Sequence, residues 1–309
     1  MSVSKPKSIA ELKATLYKLL PASETVDHLV RYLSTWSGTD KLFMVIQYTI
    51  KLIVPFLNAR ARLRHRGGLR PSPPSTAAPS LTKFAGIIGD ARMLWRIWGL
   101  LPIVQWLVSL ERNPPVTRAL LNIERLQGWS MLLYYPLEHL YYLTSHSLIP
   151  TSFKLPSLPF LTTSSKGPRL TISPNAVALY SSRFWAVYVF LQLLHLQQDK
   201  VLLQQHQRQL KKSKTTLTEL EQKEVDARWD TYWSELAVNV GYAPLTLHWS
   251  MEKGLFKNEI WVAIFGLLAG ITSFRTGWKA TALPPSSPIS LEDSKERATV
   301  EGYDASADM

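Results

Sequence analysis

Between Leu42 and Leu57 the chain reads LFMVIQYTIKLIVPFL, and its one formally charged side chain is Lys51. At 100° per residue Asp40, Gln47, Lys51 and Asn58 fall together on a helical wheel, at spacings of seven, four and seven. Almost all the remaining circumference is apolar. A helix with so thin a polar stripe belongs either in a protein core or against lipid, and that choice constrains the rest of the chain.

Composition narrows the choice. A length of 309 residues suits one large domain or two small ones. A net charge of +12 points to nucleic acid or anionic lipid as a partner. The 11 Trp and 12 Tyr are the side chains favoured where an apolar ring meets a wet headgroup region. There is no cysteine, so disulfides, thiolate catalysis and cysteine zinc sites are excluded. The opening MSVSKPKSIAELK has no apolar run behind its lysines, so a secretory signal is not expected.

The pattern is helical nearly throughout, and the expected fold class is all-α: a membrane-associated helical bundle with amphipathic helices and one or more short hydrophobic membrane helices. Ser8 and Glu11 have capping-box spacing before a short helix that Pro21 ends. A second helix covers about 24–36. Gly38 and Thr39 break and cap before the opening segment, which Pro55 kinks or ends. Further helices are expected near 81–110, 117–148, 175–211, 216–242 and 258–276, with Ser173 and Pro174 as an N-cap and first-turn pair. No β-hairpin signal is visible. The organisation expected is an N-terminal helical region (1–67), a Pro-rich linker (68–80), amphipathic and hydrophobic helices (81–149), a second linker (150–174), a C-terminal helical region with a membrane anchor (175–282) and a disordered acidic tail (283–309).

The anchor candidate is IWVAIFGLLAGITSF, Ile260–Phe274, flanked by Lys257, Arg275 and Lys279. A helix of that length reaches roughly 22 Å, short of a hydrocarbon core of about 30 Å, so snorkelling flanks would have to help. Gly266 and Gly270 form a G-x-x-x-G pair and are expected to be helix-packing positions that let two backbones approach. The clearest amphipathic stretch is Leu81–Gly99. Phe84, Ile87, Ile88, Leu94, Trp95 and Trp98 fill one apolar arc and are the expected membrane-insertion residues. Arg92 and Arg96 lie at its edge and are the expected lipid-headgroup contacts. A bundle helix packing by the same face is the competing reading of that segment.

Several motifs together resemble the peroxin-eleven family of peroxisomal membrane elongation and division factors. DHLVRYLSTWSGTDKLFMVIQYTIKLI is similar to its N-terminal signature, with Gly38, Asp40, Lys41, Gln47 and Tyr48 matched. ARMLWRIWGLLP resembles its amphipathic segment, through Ala91, Arg92, Leu94 and Arg96. YYPLEHLYYL, with Tyr134, Tyr135, Pro136, Glu138 and His139, resembles a gamma or C-type, fungal-like branch. The resemblance implies a protein of the peroxisomal membrane with cytosolic termini. It implies membrane remodelling before fission through amphipathic-helix insertion and self-association, with anionic peroxisomal lipids and the fission machinery as partners. A small-solute channel is the alternative that it leaves open.

Enzymatic signals are weak, and no enzyme activity is expected. Glu138 and His139 are adjacent, so they point about 100° apart on a helix, and no second His sits four residues away as a metal site would need. Leu196, Leu203, Leu210 and Leu217 recur every seven residues, but the accompanying Asp199, His206 and Ser213 are polar, against a stable zipper. The arginines between Arg60 and Arg70 lack interleaved aromatics and follow an apolar helix. Lipid headgroups are therefore preferred to nucleic acid as their partner. No phosphate loop stands out, and no catalytic residue, metal or cofactor is expected.

Overall fold

The computed structural model describes residues 23–69, 75–154, 169–213 and 218–283. The expected helix from Ser8 to Pro21 and the acidic tail after Leu283 lie outside the described residues. The chain divides into two compact units, Thr35–Gly277 and a smaller one that takes in the residues up to Ser34 and those from Trp278 on.

In the smaller unit, α1 (Glu24–Leu33) sets His28 face to face with the Trp278 indole, ring centroids 3.7 Å apart. His28 Nε2 lies 2.9 Å from the Trp278 carbonyl oxygen and 3.1 Å from Thr281 Oγ1.

The larger unit is built from long helices. Its α2 (Trp36–Arg66) is 31 residues long and starts two residues before the break expected at Gly38. The cap is Thr35, whose hydroxyl accepts from the Gly38 amide, so Gly38 becomes a buried helical residue rather than a breaker. Pro55 does not end α2 either. Proline removes one intrahelical donor, but Ile50 and Val54, on its N-terminal side, pack on α3 (Ala78–Trp95) through Leu81, Ala85 and Ile88. That support carries the helix on to a strongly basic end, where Arg60, Arg62, Arg64 and Arg66 are exposed.

The single helix expected over 81–110 is broken. A 3-10 turn, Arg96–Gly99, separates α3 from α4 (Leu100–Arg112). Then come α5 (Arg118–Ser145), α6 (Pro174–Ser213), α7 (Glu219–Trp249) and α8 (Glu259–Ala280). Ser173 and Pro174 do open α6. A capping box of Thr218 and Glu221 opens α7. The second linker carries structure that the sequence pattern did not signal: β1 (Ser152–Lys154) pairs antiparallel with β2 (Arg169–Thr171), Phe153 opposite Leu170. This three-residue ribbon closes a loop and leaves the chain all-α in character.

Packing runs α2 on α3, α4 on α5, α5 on α6 and α6 on α7. One core joins α2, α7 and α8 through Met44, Tyr48, Leu245, Val262, Ala263 and Ala269. Another joins α4, α5 and α6 around Met131, Tyr134 and Tyr135. Among the described residues four helical stretches are long and apolar enough to cross a membrane: Trp36–Arg66, Ala78–Arg112, Pro174–Ser213 and Glu259–Ala280. With 22 residues, α8 reaches roughly 33 Å. Its uncharged run is still Ile260–Phe274, and the helix continues through Arg275 and Lys279, so the flanks that would have to snorkel are its own last turns.

Candidate functional site

The polar stripe of α2 turns towards the other helices. Asp40, Gln47 and Lys51 line a half-open cavity of about 620 Å³ bounded by α2, α3, α5, α6 and α7. Opposite them on α3 is Arg92, whose side chain is only 8% exposed. Its Nε donates to Asp40 Oδ1 at 2.8 Å, its Nη2 to Asp40 Oδ2 at 3.3 Å and its Nη1 to Gln47 Oε1 at 2.8 Å. Planar guanidinium matched to a carboxylate in this two-point way is among the stronger side-chain pairings. Gly89 makes the approach possible, because a Cβ there would strike the Gln47 amide.

A second clasp sits one turn on. Arg96 in the 3-10 turn donates to Glu138 Oε1 and, at 2.7 Å, to the Tyr134 hydroxyl, both on α5. The Tyr134 hydroxyl donates in turn to Glu138 Oε1 at 2.6 Å. Burial pushes the Tyr134 phenol well above its usual range and Tyr135 up to about 12, with the nearby Arg96 charge opposing both. Both therefore stay neutral donors at physiological pH. Glu138 Oε2 and His139 Nε2 are buried and have no hydrogen-bond partner among the described residues.

These placements decide where each expected site residue goes. Arg92 and Arg96 were expected at lipid headgroups; the fold turns both inward, into ion pairs with Asp40 and Glu138. The physical reason is that two carboxylates buried on apolar helices need counter-charges. Ile88, expected in the membrane, is buried against Ile50 and Ala85. The other five insertion candidates, Phe84, Ile87, Leu94, Trp95 and Trp98, are 44–61% exposed. They lie on one apolar arc of α3 and the 3-10 turn, with Trp95 also meeting Phe43 of α2 at ring centroids 5.8 Å apart. Gly266 and Gly270 pack within the chain. A Cβ on Gly266 would lie 2.5 Å from the Tyr48 ring, and one on Gly270 3.3 Å from Met44. Their groove is thus filled by α2 of the same chain.

A third polar group, which no spacing in the chain signals, ties α5, α6 and α7 together. Gln127 donates to Gln192 Oε1 at 2.6 Å, and Gln192 donates to Glu235 Oε2 at 3.1 Å. Burial, then the nearby Asp199 charge, raises the Glu235 carboxyl above its ordinary value. His195 bridges Glu124 at 3.2 Å and Asp199 at 2.7 Å. The signal that could have found the first two clasps was present in the sequence, as Asp40 and Glu138 are carboxylates set in otherwise apolar helices. Their partners are 52 and 42 residues away, beyond any helical periodicity.

Fold and site define a class: an all-α membrane protein in which an amphipathic helix is clasped by its charged edge and leaves an apolar strip outside. The family model for peroxisomal biogenesis factor 11 (PEX11) matches residues 26–162. That span holds Asp40, Gln47, Arg92, Arg96 and Glu138, and so both clasps. Over that stretch the chain is similar to the peroxin-eleven family, which supports a peroxisomal membrane protein of peroxisome proliferation. No curated protein and no solved structure matches it.

Proposed function

We propose that the chain elongates the peroxisomal membrane ahead of fission by pressing the outer strip of α3 and the 3-10 turn into one leaflet. The supporting observation is the division of labour on that helix. Its arginines are consumed inside the fold, while Phe84, Ile87, Leu94, Trp95 and Trp98 stay about half exposed, Trp95 resting on Phe43. A shallow apolar wedge expands one leaflet and favours curvature. The attraction to anionic headgroups then moves from Arg92 and Arg96 to the exposed Arg60–Arg66 end of α2. Self-association and recruitment of the fission machinery would follow on the bent membrane, through surfaces other than the filled Gly266–Gly270 groove.

The test is the full chain carrying Trp95→Ser and Trp98→Ser, expressed in cells that lack the wild-type protein. It should reach peroxisomes yet leave them short, and it should not tubulate anionic vesicles after reconstitution. Normal elongation by this variant would make α3 a packing element and end the proposal. A small-solute passage is the second reading, favoured by the charged cavity inside the bundle. It requires solute flux through purified protein in vesicles.

A further inference from the structure

The half-open cavity among the helices has no role in the proposed wedging of a leaflet. At about 620 Å³ it falls within the roughly 300–1,000 Å³ range of small-molecule sites. Its charge is unbalanced. Lys41, Lys51, Arg92 and Arg96 face only two carboxylates, Asp40 and Glu138. Arg92 engages Asp40 and Arg96 engages Glu138. Lys41 shares the Asp40 oxygen already taken, at 3.4 Å. Lys51 has no carboxylate within ion-pair distance among the described residues; its ammonium sits 5.6 Å from the centroid of the Tyr48 ring. Positive charge held in a partly dehydrated site is unfavourable until an anion joins it.

The opposite wall is aromatic. Trp185 stacks on Trp249 at 5.7 Å and meets Tyr242 edge-on at 5.4 Å. All three line the cavity. Along α2 the cavity runs from Asp40 to Lys51, which is roughly 16 Å at the helical rise. An uncompensated cation at one end of an elongated, aromatic-walled space suits one kind of molecule.

We propose that this cavity binds a single-headed organic anion, a carboxylate or phosphate on an unbranched apolar chain, with its head on Lys51 and its chain along the Trp185–Trp249 wall. The inference is independent of membrane bending, so failure of the Trp95/Trp98 experiment leaves it standing. It also holds whether the anion is a free amphiphile or a lipid drawn from the bilayer.

The experiment uses the full chain in nanodiscs of neutral phosphatidylcholine, titrated with dodecyl phosphate, dodecyltrimethylammonium and dodecyl maltoside. Dodecyl phosphate should bind saturably and raise the thermal midpoint. Lys51→Gln should weaken it about tenfold or more, the loss expected for one charged hydrogen bond. Lys51→Arg, which keeps the charge, should restore binding to near wild type. Lys200→Gln, an exposed lysine away from the cavity, should change nothing. Discs doped with phosphatidate divide the sources: competition with dodecyl phosphate means a bilayer lipid is accepted, and no competition means a free amphiphile only. Equal affinity for the cationic or neutral probe, binding that never saturates, or identical binding by Lys51→Gln and wild type would each overturn the proposal.

Discussion

Replacing Arg92 by Met should be the most damaging single change in α3, and the geometry gives its size. The guanidinium makes three hydrogen bonds, two to Asp40 and one to Gln47. Methionine keeps the volume and apolar stem but leaves Asp40, 13% exposed, with only Lys41 at 3.4 Å. Stranding one member of a buried pair costs about 3–5 kcal/mol. Asp40→Leu strands the guanidinium and should cost a similar amount. The double variant strands nothing and puts apolar groups on both sides, so it should lie within about 1 kcal/mol of wild type. The assay is equilibrium unfolding of the purified chain in mild detergent, followed by tryptophan fluorescence, with protease cleavage within α3 as a local readout. The exposed Arg125–Glu111 pair is the control, because both groups are solvated and breaking it should leave the midpoint unchanged. Two results refute the reasoning. One is a loss below about 1 kcal/mol for Arg92→Met. The other is a double variant whose loss equals the sum of the singles, since that means no coupling.

Three further outcomes follow from the packing. Gly266→Leu should destabilise the chain by about 1–3 kcal/mol, the usual cost of overpacking, because even a Cβ meets the Tyr48 ring at 2.5 Å; partial rescue by Tyr48→Ala would separate this intrachain contact from any effect on self-association, measured by crosslinking. Deleting 258–276, most of α8, should release much of the protein from carbonate-washed membranes, and full retention would put the anchor elsewhere. Glu235→Gln should raise the thermal midpoint at pH 7. Burial lifts the Glu235 carboxyl in the folded state, so the folded protein holds that proton more tightly than the unfolded chain. The resulting penalty is complete above the raised folded value and fades as pH falls through it towards the unfolded value of about 4.3. The gain from Gln should fade over the same interval, and a midpoint difference that does not change from pH 7 to pH 4 would show that Glu235 is not the cause.

Helix identity and the membrane character were legible in the sequence because both are local. Six expected helices have counterparts close to their expected positions, since apolar periodicity is read over one or two turns. The errors arose where long-range contacts override local signals. Pro55 reads as a stop, but packing of Ile50 and Val54 on α3 carries the helix through it. Gly38 reads as a breaker, but Thr35 caps earlier and buries it. The uncharged run at 97–110 gives no sign of the 3-10 turn that places Arg96 under Glu138. The same limit applies to the candidate site. A wheel locates Arg92 at the edge of an apolar arc but cannot say whether that edge meets headgroups or Asp40.

Magnitudes weigh the two possibilities. If α3 met the membrane through Arg92 and Arg96, both clasps would have to open. At about 3–5 kcal/mol for each buried pair broken, the cost is on the order of 6–10 kcal/mol. Each freed arginine would gain only about 1 kcal/mol near an anionic surface. The outer strip has no such cost. Fully burying a large apolar side chain gives about 1.5–3 kcal/mol, and these five residues are already roughly half covered, so insertion yields about 1 kcal/mol each and about 5 kcal/mol in all. Insertion with the clasps closed is therefore favoured over insertion with them open. On the proposed function, the charged edge of α3 would hold the helix at a fixed angle on α2 and α5 while its other face met the lipid. The buried arginines would then have a part in remodelling without any contact with a headgroup, by keeping the helix from rolling.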